Sequence, residues 1–167
     1  MIKVGIIGGA GYTAGELIRL LLNHPEVDLV FVNSSSNAGN KLTDVHEGLY
    51  GETEMVFTDA LPLDEIDVLF FCTAHGDTKK FLECHNLPDE LKIIDLSMDY
   101  RIKSEEHPFV YGLPELNRRT ICHSKYVANP GCFATCIQLG LLPLAKHLMI
   151  NDDVMVNAIT GSTGGGV

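Results

Sequence analysis

One cysteine in this sequence stands where a thiol could act as a nucleophile. Cys132 follows the turn Asn129-Pro130-Gly131 and opens an apolar run, residues 133–148, that reads as a helix. A thiol at a helix N-terminus lies in positive partial charge, which favours the thiolate. If residues 125–129 (KYVAN) form a strand, the turn sits at the carboxyl end of a parallel sheet, where open α/β folds bind ligands. A thiolate attacking an activated acyl carbon gives a thioester, and a nicotinamide can then deliver hydride to it. Cys136, one helical turn on, is expected to serve packing, and Cys72 in VLFFC reads as a small core hydrophobe. With Cys84 and Cys122 the count is five and no C-x-x-C pair occurs, so neither a disulfide framework nor a metal site is expected.

The second chemical signal is GIIGGAGYTAGE at the amino terminus, a glycine-rich turn between a strand and a helix. Two registers fit it: G-x-G-x-x-A from Gly9, Gly11 and Ala14, or G-x-x-G-x-x-A from Gly8, Gly11 and Ala14. Either supplies a tight turn, a close backbone approach for pyrophosphate and a small residue where helix meets strand. Pyrophosphate then rests on the helix N-terminus, where free N–H groups favour negative charge. The next strand ends in Asn33, Ser34, Ser35 and Ser36, with Lys41 shortly after. An NAD site would place an acid there for the ribose 2′-hydroxyl. Hydroxyl donors beside a cation suit a 2′-phosphate, so NADP (NADPH) is expected over NAD.

Thioester chemistry also calls for a proton-transfer partner, most naturally histidine. Of the seven histidines, His75 in TAHGD follows a central strand and so falls at the right edge. It reads either as a loop residue near the cofactor or as a base; His24 and His147, at helix ends, read as structural.

The elements that position these residues alternate strand and helix. Strands are expected at 3–8, 27–33, 67–74, 91–97, 125–129 and 152–160, with a short one at 55–58. Helices are expected at 13–24, 77–86 and 133–148, and residues 34–54 as loop with a partial helical turn. Residues 98–124 show little periodicity. The fold class that follows is α/β, a Rossmann-type doubly wound and mostly parallel sheet. Net charge is −10, which argues against a nucleic-acid surface. No apolar run approaches the ~20 residues of a membrane span, and MIKVGIIGGAG lacks the features of a secretory signal. A cytoplasmic location is expected, with no membrane partner. The chain stops in GSTGGGV, straight after an expected strand, which suggests a truncated chain.

GGAGYTAGELIRLL, NSSSNAGNKL, TAHG, DLSMDYR, VYGLPELN, NPGCFAT and TGSTGGG occur in that order. Together they resemble the longer-type N-acetyl-γ-glutamyl-phosphate reductases of arginine biosynthesis, over essentially the whole chain. The resemblance implies NADPH-dependent reduction of N-acetyl-γ-glutamyl phosphate to the semialdehyde, with phosphate release and Cys132 as nucleophile. It places Gly8, Gly11, Tyr12 and Thr13 in the dinucleotide loop, Ser34, Ser36 and Lys41 near the 2′-phosphate, and Ser97 beside the nicotinamide. His75 joins them as a cofactor-side residue. Residues 1–150 would form the NAD(P)-binding domain with the nucleophile. Residues 151–167 would begin a largely missing α+β catalytic and dimerisation domain, so a homo-oligomer is expected at full length. Ala74 stands where the family often has Pro, and Ala14 at the turn-glycine position; neither change removes a reacting group. Aspartate-semialdehyde dehydrogenase shares the thioester logic, but NPGC and YGLPE argue against it. A lysine-pathway aminoadipyl-phosphate reductase and a non-catalytic dinucleotide-binding module remain as alternatives.

Overall fold

The computed structural model describes residues 1–151 and 153–165. Its sheet is built from β1 (Ile2–Ile7), β2 (Val27–Asn33), β3 (Val68–Phe71), β4 (Lys92–Asp95), β5 (Val110–Tyr111) and β6 (Tyr126–Ala128). Between them lie α1 (Tyr12–Leu22), α2 (Leu42–Val45), α3 (Asp77–Cys84), α4 (Pro114–Cys122) and α5 (Cys132–Lys146). The strand order is β2-β1-β3-β4-β6-β5, and every pairing is parallel. Parallel neighbours need crossovers, and the helices supply them.

Alternation along the strands divides the core between two faces. Ile6, Val32, Ala14 and Ile18 pack with Leu42, Leu49 and Phe57 under α1 and α2. Ile7, Phe31, Leu69, Phe71 and Ile93 pack on the other face, where Phe81 and Leu82 of α3 cover them. Each fully buried aliphatic or aromatic side chain contributes about 1.5–3 kcal/mol. The chain runs from β1 outward to β2 and then crosses back to β3. The carboxyl ends of β1 and β3 therefore form the point where strand order reverses, the usual ligand crevice of such sheets.

Several expectations need correction. Residues 55–58 form no strand: Val56 and Thr58 make only isolated bridges, to Lys41 and Asn33. The strand expected at 152–160 is absent from residues 153–160, which carry no ladder, and Val154, Met155 and Ile159 are exposed. A β-rich composition makes a strand only where a neighbouring strand accepts it. Asp152, Gly166 and Val167 lie outside the described residues. The stretch at 98–124 does hold structure, namely β5 and α4. Cys136 is exposed rather than packed, and α5 has no buried residue. Its apolar surface finds no cover within the described chain, so apolar composition alone misplaced Cys136.

Candidate active site at the carboxyl edge of the sheet

The glycine turn is resolved by what a β-carbon would meet at each position. Gly8 has φ +80°, and a β-carbon there would stand 2.7 Å from the Cys72 carbonyl oxygen at the end of β3. It is the turn glycine, since only glycine takes that conformation at no steric cost. A β-carbon on Gly9 would overlap Val32, and the Gly9 N–H donates to the Asn33 carbonyl at 2.8 Å. Ala14 is fully buried where α1 meets the sheet. Gly11 alone has neither reason: its φ of −78° suits any residue, and nothing lies within 4 Å of an added β-carbon. The Gly8, Gly11, Ala14 register therefore assigns turn, approach and packing in order. Gly11 caps α1 without a side-chain acceptor. The first N–H groups of the helix, at Tyr12 and Thr13, have no intrahelical partner and face the crevice mouth.

His46 braces this turn from outside the motif. Its Nε2 donates to the Gly9 carbonyl at 2.7 Å, and its ring fills the space a β-carbon on Gly15 would need. The bond fixes the Nε2–H tautomer. No sequence signal marks His46, because its partner lies 37 residues away.

At the end of β2, Ser34 is buried and Ser36 exposed. The Asn37 amide donates to both hydroxyl oxygens, at 3.2 and 3.1 Å. Lys41 does not reach for them. Its ammonium is paired with Glu54 at 2.6 Å, and that hydrogen bond, with the carboxylate's charge, raises the lysine pKa above its ordinary value.

The ends of β3 and β4 are joined by a polar network. Asp95, fully buried, accepts from Thr78 Oγ1 at 2.8 Å, the Ser97 N–H at 3.0 Å and Ser97 Oγ at 2.8 Å. Ser97 is thus 1% exposed with its hydroxyl hydrogen turned inward, so it shapes the loop rather than fronting the crevice. Asp99 accepts from the Gly76 N–H at 2.6 Å and the Lys79 N–H at 3.1 Å, filling the N-terminus of α3 with a carboxylate of the chain itself. His75, exposed, accepts the Met98 N–H on Nδ1 at 3.2 Å. That bond uses the lone pair a base would need and leaves Nε2–H as a donor. Cys72, where β3 ends, is driven up to about 12 by burial and by the charge of Asp95; it stays a thiol.

Cys132 is the first residue of α5 and is exposed. Gly131 caps the helix without a side-chain acceptor, so the N–H groups of its first turn are open beside the sulfur. Of the helices α1, α3 and α5, which start at this edge, α1 and α5 have no side chain on their N-termini, whereas Asp99 occupies that of α3. Cys132, Phe133, Cys136 and Ile137 border a cleft of about 350 Å³ with residues 156–160. A larger cleft, about 670 Å³, lies between α3 and residues 99–109. Size is a poor guide here because a dinucleotide crevice is open along the edge. Among the described residues there is no cluster fit to hold a metal ion, and no helix long and apolar enough to cross a membrane.

Residues 3–124 match the family described as semialdehyde dehydrogenase, NAD binding domain, and residues 132–167 match its dimerisation domain. The N-acetyl-gamma-glutamyl-phosphate reductase of Phocaeicola vulgatus is 84% identical over 167 residues, which are 100% of this chain and 52% of the relative. Those of Bacteroides fragilis and Christiangramia forsetii are 81% and 55% identical, again over 52% and 51% of their length. The chain thus spans about half the length of the curated relatives it matches. Among solved structures, aspartate semialdehyde dehydrogenase with NADP from Candida albicans superposes with TM-score 0.66 at 20% identity, covering 90% of this chain and 48% of that one. The Francisella tularensis enzyme gives TM-score 0.64 at 22% identity, over 88% of this chain and 41% of its own.

Proposed function

The chain belongs to the semialdehyde dehydrogenase family through its NAD-binding domain, and from that premise we propose that it supplies the cofactor crevice and the nucleophile of an N-acetyl-γ-glutamyl-phosphate reductase. The single observation that carries the reading is the pairing, on one sheet edge, of an open glycine turn with a thiol at an open helix N-terminus. Relatives bearing that reductase name at 84% and 81% identity supply the substrate.

In this reading the Tyr12 and Thr13 N–H groups hold the pyrophosphate, with Gly8 making the turn and Gly11 leaving room. Ser34 and Ser36 offer hydroxyls to a 2′-phosphate, which favours NADPH, and Lys41 joins them on leaving Glu54. His75 offers Nε2–H to the nicotinamide side, and Ser97 holds that loop in shape through Asp95. Bound NADPH supplies the hydride. The Cys132 thiolate attacks the acyl carbon and phosphate leaves with the bonding pair, giving a thioester. Reduction turns the carbonyl into a thiohemiacetal oxyanion, which the free N–H groups of the first α5 turn are placed to stabilise. Collapse frees the semialdehyde and returns the thiolate. Residues 1–150 serve the cofactor and carry the nucleophile, while residues 151–167 begin the part that completes the substrate site and pairs subunits. The substrates are small and water-soluble, and the setting is the cytoplasm.

The test is the reaction in reverse on the whole protein. N-acetylglutamate semialdehyde, NADP and phosphate should yield NADPH, with turnover dependent on phosphate and lost in Cys132→Ser. Faster turnover of aspartate semialdehyde would overturn the substrate assignment.

A further inference from the structure

His46 closes α2 and is pinned more firmly than a loop residue ordinarily is. Its N–H donates to the Leu42 carbonyl at 2.9 Å, and its carbonyl accepts from the Leu49 N–H at 2.9 Å. Leu42 and Leu49 are buried in the core beneath α1, as is Phe57, whose ring centroid lies 6.1 Å from that of the imidazole. From this anchored position Nε2–H donates to the Gly9 carbonyl at 2.7 Å. A side chain set in the core thus grips one backbone carbonyl of the glycine turn.

We infer that His46 is a positioning residue for the pyrophosphate, setting the plane of the Gly9–Ala10 peptide so that the N–H groups after it point at the ligand. This rests on the reading of the glycine turn as the dinucleotide site. The sheet cannot do the job unaided. Its hold on the turn ends with the Gly9 N–H, which donates to the Asn33 carbonyl at 2.8 Å and so fixes the peptide before Gly9. The peptide after Gly9 has no such support. Glycine places little restriction on its own backbone, and the Ala10 N–H has no backbone partner among the described residues. The peptide is trans, so drawing its carbonyl toward His46 turns the Ala10 N–H the opposite way. That N–H is left open, and the direction set here carries into Tyr12 and Thr13, two and three residues on. A peptide free to rotate would aim the same donors over a range of directions, and an anion would have to order them on binding.

The test uses His46→Ala, His46→Gln and His46→Asn of the whole protein, titrated with NADPH, NADH and adenosine 2′-monophosphate. One misdirected hydrogen bond to a phosphate should weaken NADPH by about 10-fold in His46→Ala. NADH should lose the same factor, because both dinucleotides carry the pyrophosphate. Adenosine 2′-monophosphate has none and should bind as it does to wild type. KM for NADPH should rise while kcat at saturating NADPH holds, since the nucleophile and the nicotinamide end are untouched. Glutamine places an amide N–H where the imidazole has Nε2 and should restore most of the affinity; the shorter asparagine should restore little. Unchanged NADPH affinity in His46→Ala, an equal loss for adenosine 2′-monophosphate, or asparagine matching glutamine would each overturn the inference. Should His46→Ala fail to fold, the NADPH affinities of the glutamine and asparagine variants decide by themselves. Gly11→Ala keeps the two failures apart. If it binds NADPH as wild type does, the turn holds no pyrophosphate and the underlying reading falls; a defect in Gly11→Ala without one in His46→Ala removes the role of His46 alone.

Discussion

Replacing Gly11 by alanine separates what the fold needs from what a ligand needs. On the fold side, Gly11 already has a conformation alanine adopts, with nothing within 4 Å of the new methyl. Alanine stiffens the unfolded chain, a gain of about 0.4–1 kcal/mol. It is also a poorer N-cap than glycine, a loss of similar size, ~1 kcal/mol. The two offset, and the thermal midpoint should hardly move. On the ligand side, the methyl projects from the mouth of the turn, where a pyrophosphate would approach the Tyr12 and Thr13 N–H groups. Losing one hydrogen bond to a charged group costs about 1.5–3 kcal/mol, or roughly 10- to 150-fold in Kd. Gly8→Ala is the contrast. Its φ of +80° and the Cys72 carbonyl at 2.7 Å add left-handed strain of about 1–2 kcal/mol to a clash between β1 and β3, so it should lose stability and binding together. NADPH titration and thermal unfolding of both variants read the two effects apart. Unchanged NADPH affinity in Gly11→Ala would refute the assignment of this turn to pyrophosphate, and a collapsed melting point would show that Gly11 is structural.

Other consequences can be measured on the same protein. NADPH should bind more tightly than NADH, and Ser36→Asp should shift the preference toward NADH; equal affinities would remove the argument from Ser34, Ser36 and Lys41. Glu54→Gln frees Lys41 and should tighten NADPH while leaving NADH unchanged. Cys72 has a folded-state pKa above the unfolded 9.0, so its contribution to stability is intact below pH 9 and is lost as pH rises toward about 12. Cys72→Ala should flatten that alkaline decline in urea midpoints, and a decline of the same slope would refute the cause. Residues 1–167 alone should bind NADPH with little turnover, because His75 spends its lone pair on Met98; full turnover would return it to the role of base. Bound NADPH should slow alkylation of Cys132, and Gly11→Ala should weaken that protection without altering the rate in the absence of cofactor.

Sequence patterns reveal what local chemistry dictates. The strand, glycine turn and helix at the amino terminus are legible because turn, approach and packing each need a small residue at a fixed offset, and Gly8, Gly11 and Ala14 supply them. Cys132 is legible because a cap and a helix start leave a pattern. β5 and α4 are not. β5 is two residues long, and α4, PELNRRTIC, buries no residue and so shows no apolar face. Pro114 at the start of α4 is the one signal that could have found it. Composition misleads at 153–160 and at Cys136, where apolar residues stay exposed because burial is decided by neighbours. The braces of the site are invisible for a related reason. His46 acts on Gly9 across 37 residues, and Asp99 on Gly76 across 23.

The order of strand ends along the edge explains why such distant residues belong to one site. Starting from β2, the edge presents Ser34 and Ser36, then the turn after β1, then His75 after β3, Ser97 after β4 and Cys132 after β6. That is the order of parts in an extended dinucleotide: ribose 2′-position, pyrophosphate, nicotinamide, and beyond it the reacting carbon. Neighbouring strands lie about 4.8 Å apart, which puts three strand spacings, roughly 14 Å, between the glycine turn and the nucleophile. No side chain crosses that span, so Gly11 and Cys132 can influence one another only through something lying along the edge. In the absence of cofactor, the alkylation rate of Cys132 should therefore ignore Gly11→Ala. With NADPH present the nicotinamide end reaches the neighbourhood of the sulfur, and protection should track occupancy. A change of labelling in cofactor-free Gly11→Ala would mean that the coupling runs through the protein, and the ordering along the edge would lose its meaning.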